Sequence, residues 1–204
     1  AKFILEQIKY CSQLENLNIA NNELTNFYDF IDGNTAQAIF PKLSKLEIYS
    51  NQITNAAGIG VLTQLRELYI SGNQIKDIEP LFNLLNLKTL VIDANPLVSL
   101  EGINKLKKLE ILNLSGCKIR TGFKALSGLE SLVSLDVTAN NISNFEPFIS
   151  LTKLTYLNLT DNNLKSLSGI EKLTALEQLY LTGNNVKDIT PLLGLKNLKT
   201  IDRK

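Results

Sequence analysis

The leucines of this chain change their spacing at regular points. In LTYLNLTDNNLKSL, residues 154–167, they lie at positions 154, 157, 159, 164 and 167. A spacing of two is typical of a strand with one buried face, and the later spacing of three predicts a tight helical return. Each short segment therefore contains both periods, and neither half can bury its apolar side alone.

The pattern LxxLxLxxNxL recurs from one end of the chain to the other. Copies begin at Leu14, Leu43, Leu65, Leu87, Leu109, Leu132, Leu154 and Leu176, with a broken ninth copy at Leu198, at intervals of 29, 22, 22, 22, 23, 22, 22 and 22 residues. Short units that each hide an apolar face must stack side by side. We therefore predict one coil per copy, with all strands in one parallel sheet.

These repeats resemble those of leucine-rich repeat proteins, specifically the 22-residue class that includes the regulatory subunit of protein phosphatase 1 and the bacterial internalins. The resemblance covers nearly the whole chain. It implies an α/β fold, a right-handed solenoid or horseshoe with a concave parallel sheet of about nine short strands and short helical or 3-10 returns on the convex side. We expect a single domain, residues 1–204, with a partial coil or N-terminal cap in 1–13, eight repeats in 14–197 and a partial last repeat in 198–204.

An asparagine column follows the strands. It comprises Asn22, Asn51, Asn73, Asn95, Asn140, Asn162 and Asn184. Because an asparagine side chain both donates and accepts hydrogen bonds, it can pair the backbone groups left open where the chain turns inward. The fifth copy has Cys117 at this position, and we predict a buried, inert thiol there rather than a nucleophile.

The returns and the irregular copies give further local predictions. One position of the return holds Gly58, Pro80, Gly102, Pro147, Gly169 or Pro191, which we interpret as bends. The first copy is seven residues longer than the standard 22, around residues 29–42, and we predict a convex-side helix there with Asn34 as its cap. Before the first copy, Leu5, Ile8 and Cys11 take the apolar positions of a preceding return or a capping helix.

Composition argues against catalysis. The chain has no histidine, and therefore no histidine base, no histidine metal ligand and no Ser-His-Asp set. The sequence contains no GxxxxGK[ST], GxGxxG or CxxC motif, and no pair of Asp or Glu residues stands out. We predict a noncatalytic protein without a cofactor or a metal site.

Charge and hydropathy narrow the range of partners. The net charge is +1, and the strands lack the basic stripes with interleaved aromatic residues that nucleic-acid binding requires. No apolar run approaches the roughly 18 residues of a spanning helix. We therefore predict a protein partner, with no nucleic-acid binding and no membrane insertion.

The candidate binding site is the outward face of the predicted sheet, formed by the third, fifth and seventh residues of each copy. These positions hold four of the six tyrosines and none of the eight phenylalanines. Over the eight full copies and the third and fifth positions of the broken ninth, five acidic residues against one basic residue, Lys45, give a net charge of −4. A first cluster contains Glu47, Tyr49, Glu67, Tyr69, Val91, Asp93 and Ile111, and a second contains Asp136, Tyr156, Asn158, Gln178 and Tyr180.

Tyrosine is enriched among residues that dominate interface energies, so we interpret both clusters as partner-binding. We favour the first cluster, because Val91 and Ile111 would be exposed apolar residues with no folding role. The alternative is that Tyr and Val merely suit strands, while Glu and Asp keep an open sheet soluble.

We predict a protein-protein interaction module that acts as a regulatory or scaffolding subunit. Resemblance to the phosphatase regulator implies an enzyme partner, such as a phosphatase, and a cytoplasmic or nuclear location. The alternative is an extracellular internalin-like adhesin domain, which the DIxPL phrases at 77–81 and 188–192 resemble. Sequons begin at Asn113, Asn141 and Asn158, and two of them lie in predicted strands, where glycans would obstruct the sheet; this favours the cytosol. A third alternative is polymer formation through uncapped sheet edges.

Overall fold

The structure of the chain, a computed structural model, describes residues 2–203, with side chains from residue 5 onward. Within this range, nine three-residue strands pair in chain order into one open parallel sheet. They are β1 Asn16–Asn18, β2 Lys45–Glu47, β3 Glu67–Tyr69, β4 Thr89–Val91, β5 Ile111–Asn113, β6 Ser134–Asp136, β7 Tyr156–Asn158, β8 Gln178–Tyr180 and β9 Thr200–Asp202. The predicted solenoid of about nine strands is confirmed.

A column of leucines fixes the register of the sheet. The middle residues of β2 to β8 lie opposite one another, and each is at most 1% exposed: Leu46, Leu68, Leu90, Leu112, Leu135, Leu157 and Leu179. Because side chains alternate along a strand, a slip of one residue would turn these leucines to solvent. Each buried leucine stabilises the fold by about 1.5–3 kcal/mol, so the in-register sheet is strongly favoured.

The returns are 3-10 helices. They cover Tyr28–Phe30, Ile59–Val61, Glu79–Asn83, Ile103–Lys105, Phe123–Gly128, Glu146–Phe148, Ile170–Lys172 and Thr190–Gly194. The predicted bend column lies at their starts. Gly58, Gly102 and Gly169 immediately precede a 3-10 helix with φ of 93°, 88° and 96°. Pro80, Pro147 and Pro191 lie within the first turn, where a missing N–H leaves no intrahelical bond unmade.

The helix predicted around residues 29–42 with Asn34 as its cap is wrong. Ile31 and Ala38 instead form an antiparallel bridge that closes a turn. Asp32 organises this turn, because its Oδ1 accepts hydrogen bonds from the N–H groups of Asn34 and Thr35, both at 2.9 Å. A short acidic side chain that bonds to the following backbone stabilises a turn at the expense of a helix.

An α-helix, α1, covers Lys2–Ile8 at the start of the described chain. Leu5 is buried in the core and Ile8 packs against it, as predicted. The apolar position predicted for Cys11 is wrong, since this residue is exposed. The chain turns there, with the Cys11 N–H donating to the carbonyl of Ile8 at 2.8 Å, and the turn leaves the thiol at the surface.

Candidate protein-interaction surface

The asparagine column pairs backbone groups just after the strands that carry the surface side chains. Asn95, which is 1% exposed, shows the pattern. Its Nδ2 donates to the carbonyls of Ile70 and Ile92 at 3.1 and 3.0 Å, and its Oδ1 accepts from the N–H of Ile75 at 3.0 Å. With a further bond from Nδ2 to the carbonyl of Asp93 at 3.3 Å, one side chain pairs four backbone groups in two neighbouring coils, and the predicted structural role of the column is confirmed.

Cys117 interrupts this column. It is fully buried, as predicted, and its Sγ contacts the carbonyl of Ile92 at 3.4 Å. Sulfur supplies no equivalent of the asparagine oxygen, so the N–H of Leu97 donates instead to the carbonyl of Asn95 at 2.9 Å. Burial raises the pKa of the Cys117 thiol to about 11, which keeps it protonated at neutral pH.

The strand register arranges the surface side chains in three rows that run across the sheet. The first row holds Asn16, Lys45, Glu67, Thr89, Ile111, Ser134, Tyr156, Gln178 and Thr200. The second row holds Asn18, Glu47, Tyr69, Val91, Asn113, Asp136, Asn158, Tyr180 and Asp202. The third, two residues after each strand, includes Tyr49, Ser71 and Asp93. Neighbours within a row are about 4.8 Å apart, close enough for their side chains to touch.

We call Lys45, Glu47, Glu67 and Tyr69 the N-terminal patch. The ammonium of Lys45 forms an ion pair with Glu47 at 2.8 Å and lies 5.3 Å from the centre of the Tyr69 ring. The Tyr69 hydroxyl donates to Oε2 of Glu67 at 3.1 Å. Four residues of two strands therefore form one connected group, in which an internal cation partly neutralises the two carboxylates.

The pKa values of this patch follow from its contacts. Burial raises the pKa of Tyr69, and the hydrogen bond to Glu67 adds to the shift because it favours the protonated phenol. The hydrogen bond to Glu47 raises the pKa of Lys45. Both shifts keep the tyrosine neutral and the lysine charged at physiological pH.

The remaining residues of the first predicted cluster lie beside this patch. Val91 is next to Tyr69 in the second row, and Ile111, in the first row, is 43% exposed. Tyr49 and Asp93 share the third row, and Asp93 accepts a hydrogen bond from Ser71 at 2.5 Å. The structure thus places these predicted residues on one face, with exposed apolar surface at Ile111.

We call Asp136, Tyr156, Asn158, Gln178 and Tyr180 the C-terminal patch. The rings of Tyr156 and Tyr180 are 5.5 Å apart and inclined at 44°, a favourable geometry for an aromatic pair. Nδ2 of Asn158 donates to Oδ2 of Asp136 at 3.1 Å and lies 3.4 Å from the Tyr156 hydroxyl. Burial raises the pKa of Tyr156, and the charge of Asp136 adds to the shift.

Some residues that orient the surface carboxylates were not predicted from the sequence. Asn18 donates to Oε2 of Glu47 at 2.8 Å, and Ser71 holds Asp93. The Thr182 hydroxyl donates to Oδ1 of Asp202 at 2.9 Å. Asn18 and Ser71 lie one strand before the carboxylate they hold, and this placement in adjoining copies is the sequence signal that could have identified them.

Other parts of the chain offer less chemistry. An apolar groove of about 570 Å³ lies on the convex side and is lined by Phe82 and Gly102 of two neighbouring coils. Two of its polar residues, Asp77 and Ser99, accept hydrogen bonds from backbone N–H groups of their own turns at 2.9 and 3.0 Å.

Across residues 2–203, no three His, Cys, Asp or Glu side chains are grouped as a metal site. No helix in that range is long and apolar enough to cross a bilayer.

Comparisons with known proteins agree with this architecture. The family model described as Leucine Rich repeats (2 copies) matches residues 41–83, 63–105 and 152–194, and the model described as Leucine Rich Repeat matches residues 108–129. No curated protein sequence matches the chain.

Several solved structures share the fold. Internalin C2 of Listeria monocytogenes is 29% identical, with a TM-score of 0.67 over 75% of this chain and 77% of that chain. Another internalin of the same bacterium is 24% identical, with a TM-score of 0.71 over 98% of this chain and 62% of its own. The ectodomain of the plant membrane receptor kinase GASSHO1/SCHENGEN3 of Arabidopsis thaliana is 23% identical, with a TM-score of 0.75 over 98% of this chain and 25% of that chain. The structure of this plant ectodomain was solved in complex with Casparian strip integrity factor 2.

Proposed function

This chain belongs to the leucine-rich repeat proteins, and from that premise we propose that it binds a protein partner on the concave face of its sheet, as a regulatory or scaffolding subunit. Leucine-rich repeat proteins are protein-interaction modules, and the fold is generally a noncatalytic binding scaffold. The finer proposal concerns which face binds and through which side chains.

The observation that carries the proposal is the placement of tyrosine. Tyr49, Tyr69, Tyr156 and Tyr180 all lie on the concave face, whereas the described phenylalanines are buried in the core or packed against it. A tyrosine ring offers a broad, stiff apolar surface with a polar tip, which suits a binding site. The carboxylates of the same rows would attract a basic partner and accelerate the encounter.

An intracellular location is part of this proposal. The side chains of Asn113 and Asn158 belong to strands β5 and β7, and both residues begin sequons. In a eukaryotic secretory pathway, glycans at these two positions would cover the surface that we propose for binding. A concave binding face is therefore more compatible with the cytosol or nucleus.

The second candidate function is that of a bacterial surface adhesin. It is favoured by the 29% identity to internalin C2 over three quarters of this chain. Antibody labelling of intact and permeabilised cells separates the two candidates. Labelling of intact cells would support the adhesin, and labelling only after permeabilisation would support the intracellular subunit.

Affinity capture tests the concave face. We would immobilise the wild-type chain and the variants Tyr49→Ala/Tyr69→Ala and Tyr156→Ala/Tyr180→Ala, and identify the proteins that they retain from a cell extract by mass spectrometry. The matched control is Tyr10→Ala/Tyr28→Ala, which removes two exposed tyrosines outside the sheet. We expect Tyr49→Ala/Tyr69→Ala to abolish capture of a protein that the wild type and the control retain, with thermal unfolding nearly unchanged. Equal recovery by all four chains would refute the concave site.

A further inference from the structure

We propose that the C-terminal patch receives an arginine side chain of the protein partner, whereas the N-terminal patch already holds a cation of its own chain, Lys45. The inference rests on the proposed function, because it assumes a protein on the concave face. It adds the chemistry of the group that is bound and assigns different roles to the two patches.

The two patches have equivalent residues at two positions in the sheet. Lys45 and Tyr156 are the first residues of β2 and β7, and Tyr69 and Tyr180 are the last residues of the strands that follow. Lys45 therefore has the same position in the sheet relative to Tyr69 as Tyr156 has relative to Tyr180. The first pair is an ammonium 5.3 Å from a ring centre, and the second is two ring centres 5.5 Å apart.

The hydroxyl contacts repeat as well. The Tyr69 hydroxyl donates to Glu67, two residues earlier, at 3.1 Å. The Tyr180 hydroxyl donates to Gln178, also two residues earlier, at 3.3 Å. In both strands this bond holds the ring along the sheet, so that its face is available to a neighbour. The patches thus share a tyrosine ring and its hydroxyl contact, but Tyr156, Asn158 and Gln178 of the C-terminal patch stand where the N-terminal patch has Lys45, Glu47 and Glu67.

The N-terminal patch shows what this arrangement binds. Lys45 is held there by the carboxylate of Glu47 at 2.8 Å and by the face of the Tyr69 ring. An aromatic face attracts a cation through its quadrupole, and a nearby carboxylate strengthens the attraction. The fold therefore already contains one such site, and its own lysine fills it.

The C-terminal patch also combines aromatic faces with a carboxylate, although from a different strand, and it has no basic residue among its members. Tyr156 replaces the lysine with a second ring, and Asp136 supplies a carboxylate in the adjacent strand. The donors to Asp136 are neutral, namely the N–H of Thr138 at 2.8 Å and the amide of Asn158 at 3.1 Å. Its negative charge is therefore oriented by hydrogen bonds but not balanced within the patch.

Arginine fits these groups better than lysine does. Its planar guanidinium stacks on an aromatic ring while its N–H groups bond to a carboxylate, and it loses less hydration than an ammonium. A carboxylate has about four acceptor positions, so the two hydrogen bonds that Asp136 accepts leave room for a guanidinium. The two inclined rings and the carboxylate together offer both contacts.

The test uses the full chain and a small probe, N-acetyl-arginine amide, with the uncharged isostere N-acetyl-citrulline amide as its control. Backbone amide chemical shifts are followed by NMR during titration. We expect saturable shifts at Asp136, Tyr156, Asn158 and Tyr180 with the arginine probe and much smaller shifts with citrulline. Equal shifts with both probes, or none with arginine, would overturn the proposal.

Three variants locate the interaction. Asp136→Asn and Tyr180→Ala are each expected to weaken binding of the arginine probe roughly two- to fivefold, the range of an exposed cation–π contact. Tyr180→Phe, which keeps the ring, should retain most of the affinity and controls for folding. Lys45→Met should open the N-terminal patch and create new shifts at Glu47 and Tyr69. Without these new shifts, the role assigned to Lys45 is wrong.

The capture experiment keeps this inference separate from the proposed function. If the concave tyrosine variants lose the partner but the arginine probe does not bind, the concave binding site is supported and the proposed recognition of arginine is rejected. If capture is the same in every tyrosine variant, the proposed function fails whatever the probe does.

Discussion

The Lys45 ammonium lies 5.3 Å from the centre of the Tyr69 ring, across the boundary between β2 and β3. An exposed contact of this kind contributes about 0.5–1 kcal/mol, much less than the leucines behind the same strands. Its main effect is to fix two side chains of the concave face in a defined relationship. The surface therefore differs along the sheet, with a pair of carboxylates partly neutralised by Lys45 at β2 and β3 and a carboxylate without a basic residue in its patch at β6.

The concave tyrosines make stability sensitive to alkaline pH. Burial raises the pKa of Tyr69 and of Tyr156, so unfolded chains lose these phenolic protons at a lower pH than folded chains do. This contribution to the free energy of unfolding is complete below the unfolded tyrosine pKa of about 10, and it declines as pH rises through the higher folded values.

Urea denaturation between pH 8 and 11.5 tests this pH dependence. The variant Tyr69→Phe/Tyr156→Phe should lose stability less steeply above pH 10 than the wild type does. The control Tyr10→Phe/Tyr28→Phe, at exposed rings outside the sheet, should follow the wild-type slope. If the two double variants have identical slopes, burial of the concave rings does not affect their titration.

The asparagine column predicts a second effect. Asn95→Ala should lower the free energy of unfolding by roughly 1–3 kcal/mol, because buried backbone groups of two coils lose their partner. Asn185→Ala, at an exposed asparagine one residue beyond the column, is the matched control and should change stability by less than about 0.5 kcal/mol. Similar melting curves for the two variants would exclude the role of the column.

The two cysteines should differ in reactivity. Cys11 is exposed, whereas Cys117 is buried with a pKa of about 11. A disulfide reagent such as dithionitrobenzoate should therefore modify one thiol rapidly in the folded protein and the other only after unfolding. In Cys11→Ala, rapid modification should disappear, whereas Cys117→Ala should retain it. A fast reaction of folded Cys11→Ala would show that the Cys117 thiol is accessible.

Two glycines with positive φ allow the cost of backbone strain to be compared with the cost of steric overlap. A Cβ at Gly122 would lie 2.6 Å from the backbone nitrogen of Glu101, whereas one at Gly116 would meet nothing within 4 Å. Ala94 and Ala139 adopt the position equivalent to Gly116 with φ of 54° and 53°. We expect Gly116→Ala to destabilise the protein by about 1 kcal/mol and Gly122→Ala by about 2–4 kcal/mol, measured by urea denaturation. Equal losses would mean that the coils can separate to admit the added methyl group.

The fold was predictable because one pattern is repeated. Each copy places Leu or Ile at the same phase, so the errors that limit the assignment of a single strand do not accumulate. The extra segment around Asn34 has no second copy to compare with, and its prediction failed. The residue type of Asn34 favours a helix cap, but its N–H donates to the side chain of Asp32, two residues earlier, and this bond stabilises a turn instead.

The candidate site was predictable only as a set of positions. Alternation along a strand gives the direction of a side chain, and it correctly placed Tyr69 and Tyr156 on one face. It does not give depth, since Thr89 on the same face is only 9% exposed. Nor does it give contacts such as that of Lys45 with Tyr69, because these depend on side-chain rotamers in neighbouring strands.

The strict chain order of the sheet has a mechanical consequence. Each inner strand pairs only with the strands of the preceding and following coils, so a pulling force on the termini would be borne by one inter-coil boundary after another. A detached coil of 22 residues would lengthen the molecule by roughly 7 nm when fully stretched. Under tension we therefore expect this chain to unfold in steps, one coil at a time.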